Sequence, residues 1–251
     1  MTKNNPQIIY RDSDITLVNK PYGMIVNRAD TTKDEFTLQD WLENTLIGKR
    51  STADESEFRK RGGIVHRLDK DTSGIIIIAN NEAAFINLQT QFKNRSIKKI
   101  YNALVHGLVH PSEGMINIPI ERNPFNRKRF GVFLGGREAV TEYETIGIFS
   151  IPQKTDKEYL TLLKVSPRTG RTHQIRVHLK HLGYPIVSDI LYGGRKNVKK
   201  DLLFCPRMFL HAKKISFMHP KKNHDMSFEA DMPEELSAVL MKLEKEPINC
   251  K

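Results

Sequence analysis

The stretch that most restricts the fold is Ile75-Ile76-Ile77-Ile78-Ala79, four isoleucines and an alanine with no polar residue among them. Alternating character would mark a strand with one wet face. An unbroken apolar run this short, with Ser73-Gly74 before it and Asn80-Asn81 after it, predicts a strand buried on both faces. Directly upstream stands His66-Arg67-Leu68-Asp69-Lys70-Asp71, a loop dense in ionisable side chains. A connection that only had to turn would be served by Asn-Gly or Pro-Gly. Charged groups at the mouth of a dry element are where desolvation perturbs pKa values and allows chemistry.

The rest of the chain predicts strands in runs with a few helices between them. "IIYRDSDITLVNK" reads as two short strands around an Asp-Ser-Asp turn, and "PYGMIVN" as a turn into a third. "TLQDWLENTLIG" reads as a helix capped by Thr37 with Asp40 three residues on, burying Leu38, Trp41, Leu42 and Leu46. Residues 48–63 are polar and charged and read as a loop. "NEAAFINLQTQFKN" predicts a helix with Phe85, Leu88 and Phe92 inward, followed by a strand at "KKIYNALVHG". "RKRFGVFLGGREAVTEYETIGIF" predicts a hairpin about Gly135-Gly136, and "KEYLTLLKVSP" another strand. "THQIRVHLKHLG" predicts a short helix with Thr172 as cap, Gly183 as stop, and Ile175, Leu179 and Leu182 inward. Two late strands, "FLHAKKISFMHP" and "HDMSFEADMP", precede a terminal helix at "PEELSAVLMKLEK". No regular βαβ alternation is present, so the class is α+β: a mixed, mostly antiparallel sheet with flanking helices. Residues 1–251 are expected to form a single domain, with enough apolar content (39%) for one core or two half-lobes around a central basic cleft.

Composition narrows the function. The formal net charge is +11, and the basic residues cluster at "FRKRGGIVHR", "FKNRSIKK", "ERNPFNRKRF", "SPRTGRTHQIRVHLKH" and "GGRKNVKK", which favours a polyanionic partner over an evenly solvated surface. No run approaches the roughly 18 apolar residues of a membrane span, and the start lacks the apolar core of a secretory signal. Cys205 and Cys250 are too few for a disulfide framework or a structural zinc site, which fits a reducing cytoplasm. Phosphate-loop, dinucleotide and HExxH patterns are absent. His173, His178 and His181 tempt a metal reading, but their spacings of five and three place only the last pair on one helical face, and no acidic residue accompanies them. RNA contacts or core hydrogen bonds suit them better. Ser73 lacks a nucleophile elbow. Asp69 on its own is an ordinary turn former.

The larger pattern resembles a known family. "HRLDKDTSG" before a buried strand is similar to the signature of pseudouridine synthases of the RluA type. "VNKPYGMIVN", "KKIYNALVHG", "TGRTHQIRVHLKHLGYPIVSDILYGG" and "RMFLHAKKISFMHP" resemble the family's other blocks in the same order, from about Ile8 to Met232. The resemblance implies that Asp69 is the essential aspartate acting at the target nucleoside. It implies that Tyr101 stacks on the target base and takes part in deprotonating C5, and that Arg176 pairs with the aspartate. Arg67 would enter the RNA stack in place of the extruded nucleotide. His66, Arg171 and His173 would help organise or contact RNA; separately from the resemblance, the clustered basic run Arg127, Lys128 and Arg129 is expected to reach phosphates.

The implied chemistry breaks the C1′–N1 bond, turns the uracil over and joins C5 to C1′ with no net redox change, so no cofactor and no metal are expected. A neighbouring guanidinium can lower an Asp pKa by about 1–3 units and so offset desolvation. The resemblance further implies RNA as partner, ribosomal first and transfer RNA as the alternative. It implies a monomer without an obligatory protein partner, acting in the cytoplasm and not at a membrane. Many relatives begin with a small S4-type RNA-binding domain, which is not expected here. The first block ends in Asn27-Arg28 where relatives often carry histidine and proline, a departure that reads as substrate tuning or drift. Two rivals remain: a non-catalytic RNA-binding or ribosome-assembly protein on the same fold, and a uracil-releasing glycosylase.

Overall fold

The computed structural model describes residues 5–28, 35–47, 56–152 and 157–248. Within them the chain divides into two compact units, one formed by residues 1–98 and 212–231 and the other by 99–211 and 232–251.

The first unit opens with strands β1 (Gln7–Arg11) and β2 (Ile15–Lys20), an antiparallel pair about the expected Asp-Ser-Asp turn. Asp12 closes that turn by accepting from the N–H groups of Asp14 and Ile15 at 2.8 and 2.9 Å. The expected third strand at 21–27 does not form. The carbonyls of Ile25 and Val26 instead accept from Leu38 N and Gln39 N at 2.8 and 3.1 Å, meeting the otherwise unpaired first N–H groups of a helix. That helix, α1 (Leu38–Leu42), has the predicted capping box of Thr37 and Asp40. It runs into a π-helical turn (Glu43–Ile47), with Leu38 and Leu42 fully buried and Trp41 and Leu46 only partly so. Arg28 forks onto this helix, Nε to Asp40 at 2.7 Å and Nη2 to Glu43 at 2.6 Å, so the unusual residue at this position ties its segment to α1.

Of the polar stretch 48–63, residues 48–55 lie outside the described ones. The remainder contains a short helix, α2 (Glu57–Lys60), which buries Phe58. β3 (Ser73–Ala79) then runs antiparallel to β2. Ile75, Ile77 and Ala79 pack in a core with Phe85 and Leu88, while Ile76 and Ile78, on the other face, are equally buried. The strand is dry on both sides, as its composition requires. Helix α3 (Glu82–Lys93) is capped by Asn81, which accepts from Ala84 N at 2.9 Å.

The second unit is built on β4 (Lys98–His106), β5 (Glu113–Asn117), β6 (Ile120–Arg122), β7 (Phe130–Val132), β8 (Val140–Ser150) and β9 (Tyr159–Pro167), followed by helices α4 (Gln174–His181) and α5 (Arg195–Asp201). β9 lies between β4 and β8, antiparallel to both. The hairpin expected about Gly135-Gly136 is not the one observed: β7 pairs with β6, and β8 pairs with β9 and β5. Gly136 packs on the backbone of Ile120, 2.8 Å from where its Cβ would stand, so the glycine pair serves a close approach and not a hairpin turn.

β10 (Leu210–Met218) starts in the second unit and continues in the first, where it forms an antiparallel hairpin with β11 (Asp225–Glu229). The chain ends on α6 (Glu234–Lys242) and a short strand, β12 (Glu244–Glu246), which covers the end of β8. The β1–β2, β2–β3, β4–β9, β5–β8, β6–β7, β8–β9, β8–β12 and β10–β11 pairings are antiparallel, and the class is α+β. Among the described residues, no helix is long and apolar enough to cross a membrane.

Candidate active site

In the first unit, the ionisable loop is held from outside by its backbone. Lys20, fully buried at the end of β2, donates from Nζ to the carbonyls of Pro21 and Met24 at 2.8 Å and of Lys70 at 3.3 Å. Gly23 N donates to the same Lys70 carbonyl at 2.9 Å, and Thr72 N to that of Asp69 at 3.1 Å. Gly23 has φ +81, the left-handed backbone that this tight Lys-Pro-Tyr-Gly turn requires. Gly74 has φ +121 and sits so close to the backbone of Ala212 that a Cβ would lie 2.3 Å from its carbonyl oxygen. No larger residue fits there. Along the loop, Leu68 is buried, Asp69 and His66 are half-buried and Arg67 is exposed. His66 stacks 4.8 Å from Phe92, and its Nε2 accepts from Ile77 N at 3.0 Å. One ring nitrogen of His66 is therefore committed to β3.

In the second unit, Tyr101 lies on β4 opposite Val165 of β9, about nine-tenths buried. Arg176, on α4, is 3% exposed. It forms a two-point ion pair with Asp189, Nε to Oδ2 and Nη2 to Oδ1, both 2.8 Å. Asp189 Oδ1 also accepts from the backbone of Leu191 and Tyr192 at 3.0 and 3.1 Å. The guanidinium lies 5.1 Å from the ring centre of Tyr192, whose hydroxyl meets His173 Nδ1 at 2.9 Å and accepts from Phe130 N at 2.9 Å. His173 and Arg176 thus belong to one network.

Helix α4 starts one residue later than expected. Its N-cap is His173, in the left-handed region at φ +56, and not Thr172. Among the described residues no side chain caps α4, and Gln174, its first residue, is buried with both ends of its amide engaged elsewhere. Oε1 accepts from Thr169 Oγ1 at 2.7 Å and Arg171 N at 2.9 Å, and Nε2 donates to Val140 O and Thr141 Oγ1 at 2.9 Å. Arg171 Nε donates to the Glu138 carbonyl at 2.9 Å.

The histidine trio does not gather. His178 is buried, donating from Nε2 to Ile118 O at 3.0 Å and accepting at Nδ1 from Thr141 Oγ1 at 2.9 Å. Burial lowers its pKa, which keeps that neutral tautomer. His181 is exposed, and Leu182, expected inward, is 36% exposed at the end of the helix. Among the described residues, Asp12, Asp14 and His219 come close enough together to suggest a cation site. Their ligand atoms already serve the protein: Asp12 Oδ2 accepts from His219 Nε2 and Tyr10 Oη at 2.9 Å, and Asp14 Oδ1 from Asn81 at 2.9 Å. Burial alone would raise the pKa of Asp12, but the backbone bonds from Ile15 and Asp14 and the contact with His219 hold it far below the usual carboxylate range.

Asp69, Arg67 and His66 lie in the first unit, and Tyr101, Arg171, His173 and Arg176 in the second. Arg127, Lys128 and Arg129 are exposed in the loop joining β6 to β7. Sequence reasoning passes over Lys20, Gln174, Asp189 and Tyr192. Two of these carry a signal: Lys20 is the single cation of the strand "ITLVNK", and Asp189 is the only acidic residue between Glu158 and Asp201.

Lys99, two residues before Tyr101, has its pKa pulled down to about 8 by burial alone. Below pH 8 the folded protein carries this cation at a desolvation cost. Between about 8 and the ordinary lysine value near 10.4 the unfolded state binds the extra proton, so this group's contribution to stability rises with pH. Lys99→Met should therefore stabilise the protein at pH 7 by about 1–3 kcal/mol. The gain should shrink as the pH rises from 8 towards 10. Urea unfolding at both ends of that range checks this, and an equal gain throughout would rule it out.

Residues 14–181 match the RNA pseudouridylate synthase family, and the chain belongs to that family. It is similar to an uncharacterized RNA pseudouridine synthase of Aquifex aeolicus, with 40% identity over 241 residues, 95% of this chain and 73% of that protein. It is 36% identical over 244 residues to the ribosomal large subunit pseudouridine synthase D of Buchnera aphidicola, covering 94% of this chain and 73% of the relative. The solved structure of human RNA pseudouridylate synthase domain containing 1 superposes with a TM-score of 0.73 at 26% identity, over 97% of this chain and 89% of that one. The chain is thus a pseudouridine synthase, an isomerase that modifies RNA.

Proposed function

We propose that this enzyme isomerises uridine in structured ribosomal RNA and that Asp69 is its essential carboxylate. The observation that carries the assignment of Asp69 is the way its loop is fixed. Lys20, Gly23 and Thr72 hold it through the backbone carbonyls of residues 69 and 70, which sets the point from which the Asp69 side chain acts. Breaking C1′–N1, turning the uracil and forming C5–C1′ moves one proton, from C5 to solvent or nitrogen, and changes no oxidation state. Attack at C1′, addition at C6 and removal of the C2′ proton each need an ionised carboxylate at the nucleoside. Arg176 is assigned to keep that carboxylate charged, and Tyr101 to hold the detached base, since stacking of a base on an aromatic ring is worth about 1–3 kcal/mol. Ribosomal RNA is the proposed substrate because relatives named for the large ribosomal subunit match over nearly the whole chain. A cytoplasmic setting goes with it.

The test is to map pseudouridine in total RNA from a deletion strain, with and without the gene restored. Loss and recovery of a site in ribosomal RNA is expected. A site confined to transfer RNA would redirect the substrate, free uracil in the reaction would indicate a glycosylase, and an unchanged map would leave a binding protein.

Arg67, the exposed residue of the loop, is assigned to fill the gap left by the extruded uridine. Extrusion from a duplex costs a few kcal/mol and far less from an unstacked site. Arg67→Ala should slow single turnover on a stably paired substrate by roughly 10–100-fold, with little effect where the uridine is already unpaired. Equal defects on both substrates would remove the wedge role.

A further inference from the structure

The loop between β6 and β7, Asn123–Arg129, shows a large aromatic side chain to solvent on a closed and well-bonded frame. Phe125 is 96% exposed. Asn123 Oδ1 accepts from Phe125 N and Asn126 N at 2.9 and 3.1 Å, and Asn126 Oδ1 from Lys128 N at 3.2 Å. Asn123 N donates to Arg129 O and Arg129 N to Asn126 O, at 2.9 and 2.8 Å, and Arg122 Nη1 caps Arg127 O at 2.7 Å. The backbone that carries the ring is thus already ordered, so that binding has only its side-chain torsions to fix.

The loop is also mounted on the cluster that holds Arg176. Ile120, Ala139, Val177 and Tyr192 form a small core against which Phe130 and Val132 pack, and Phe130 N is the donor to the Tyr192 hydroxyl. Phe130 itself is bracketed by His173, edge-on at 5.5 Å, and by Arg122 over its ring at 4.9 Å. The base of the loop and the Arg176–Asp189 pair therefore share one rigid support.

Around Phe125, Arg127, Lys128 and Arg129 are all exposed. A protein partner would need an apolar pocket ringed by acidic side chains to match both the ring and this charge. A single-stranded nucleic acid matches both features at once, phosphates to the cations and a base face to the ring. We infer that Phe125 is a stacking platform for an unpaired base of the RNA substrate, a base other than the target uridine, and that the three following cations bind the phosphates flanking it. The loop then selects substrates that present an unpaired base besides the target uridine. This rests on the reading of the chain as an enzyme of structured RNA.

The test uses the full chain and an RNA stem–loop with single-stranded flanks, carrying 2-aminopurine at each unpaired position in turn. One position should be quenched on binding by wild type and by Phe125→Trp, and not by Phe125→Leu or Phe125→Ala. Affinity should fall about 5- to 150-fold for Phe125→Ala, with the dependence on salt unchanged. The triple variant Arg127→Ala, Lys128→Ala, Arg129→Ala should instead flatten the salt slope by about 0.7 for each phosphate it no longer neutralises. Quenching that survives Phe125→Ala, or an affinity within twofold of wild type, would overturn the inference. Wild-type turnover measured on the same RNA reports separately on the proposed function: turnover with no effect of Phe125 sinks the platform alone, and quenching without turnover on any RNA sinks the proposed activity alone.

Discussion

Asp69→Asn should reduce single-turnover pseudouridine formation by roughly 10⁴-fold or more while leaving RNA affinity within a few-fold of wild type. The substitution keeps the size of the side chain and removes its charge and basicity. It should not disturb the loop, because the hydrogen bonds from Lys20, Gly23 and Thr72 all end on backbone carbonyls. Thermal unfolding of the variant should accordingly stay within the ordinary range of single substitutions, a change of no more than about 0.5–3 kcal/mol. Affinity can rise slightly, since the variant has one negative charge fewer near phosphate. Rates measured with enzyme in excess, beside binding by filter retention, give the comparison. Turnover within tenfold of wild type would remove Asp69 from the chemistry.

Asp189→Ala should have the largest effect on stability. Arg176 and Asp189 are 3% and 0% exposed, and the carboxylate also takes two backbone N–H groups. Removing it leaves a guanidinium buried beside Tyr192 without its two-point partner, a change that costs about 3–5 kcal/mol. Replacing both members by apolar residues, Arg176→Met with Asp189→Leu, should recover only part of that stability: the uncompensated charge is gone, but the N–H groups of Leu191 and Tyr192 still lose their acceptor. The double variant should nonetheless stay inactive if Arg176 serves the reaction. Urea unfolding and single-turnover assays on both proteins separate the two roles. A loss below about 1 kcal/mol for Asp189→Ala would show that the pair is hydrated in solution.

What could be read from the sequence was local. The double burial of β3 followed from an apolar run too short for anything else, and the Thr37–Asp40 box announced the start of α1 three residues apart. Asn81 stands directly before its helix in the same way. What escaped depended on partners distant in the chain. Ile25 and Val26 have strand-forming side chains, but their carbonyls are claimed by α1, which no periodicity records. The misplaced hairpin has a similar cause. Gly135-Gly136 is the stronger turn signal, yet the turn that closes β6 onto β7 is made by the side chains of Asn123 and Asn126. His173 reads in the sequence as a contact for RNA or a core hydrogen-bonding residue, and its left-handed backbone at the mouth of α4 does not follow from residue type, since even the side chains enriched in that region adopt it in a minority of cases. Arg176 stood out in the sequence through the block that carries it, whereas its partner Asp189 lies 13 positions on, in the loop after α4.

The ammonium group of Lys20 collects three backbone carbonyls much as a bound potassium ion would, with the difference that it cannot be removed by dilution or exchanged. The shape of the Asp69 loop is therefore inherited from a position 50 residues upstream, while the side chains of Lys70 and Asp71 play no part in these hydrogen bonds. Evolution can rewrite those two positions to suit a new RNA without re-solving the geometry of the Asp69 loop. Arginine at position 20 is no substitute: its planar fork cannot converge on three oxygens around one point.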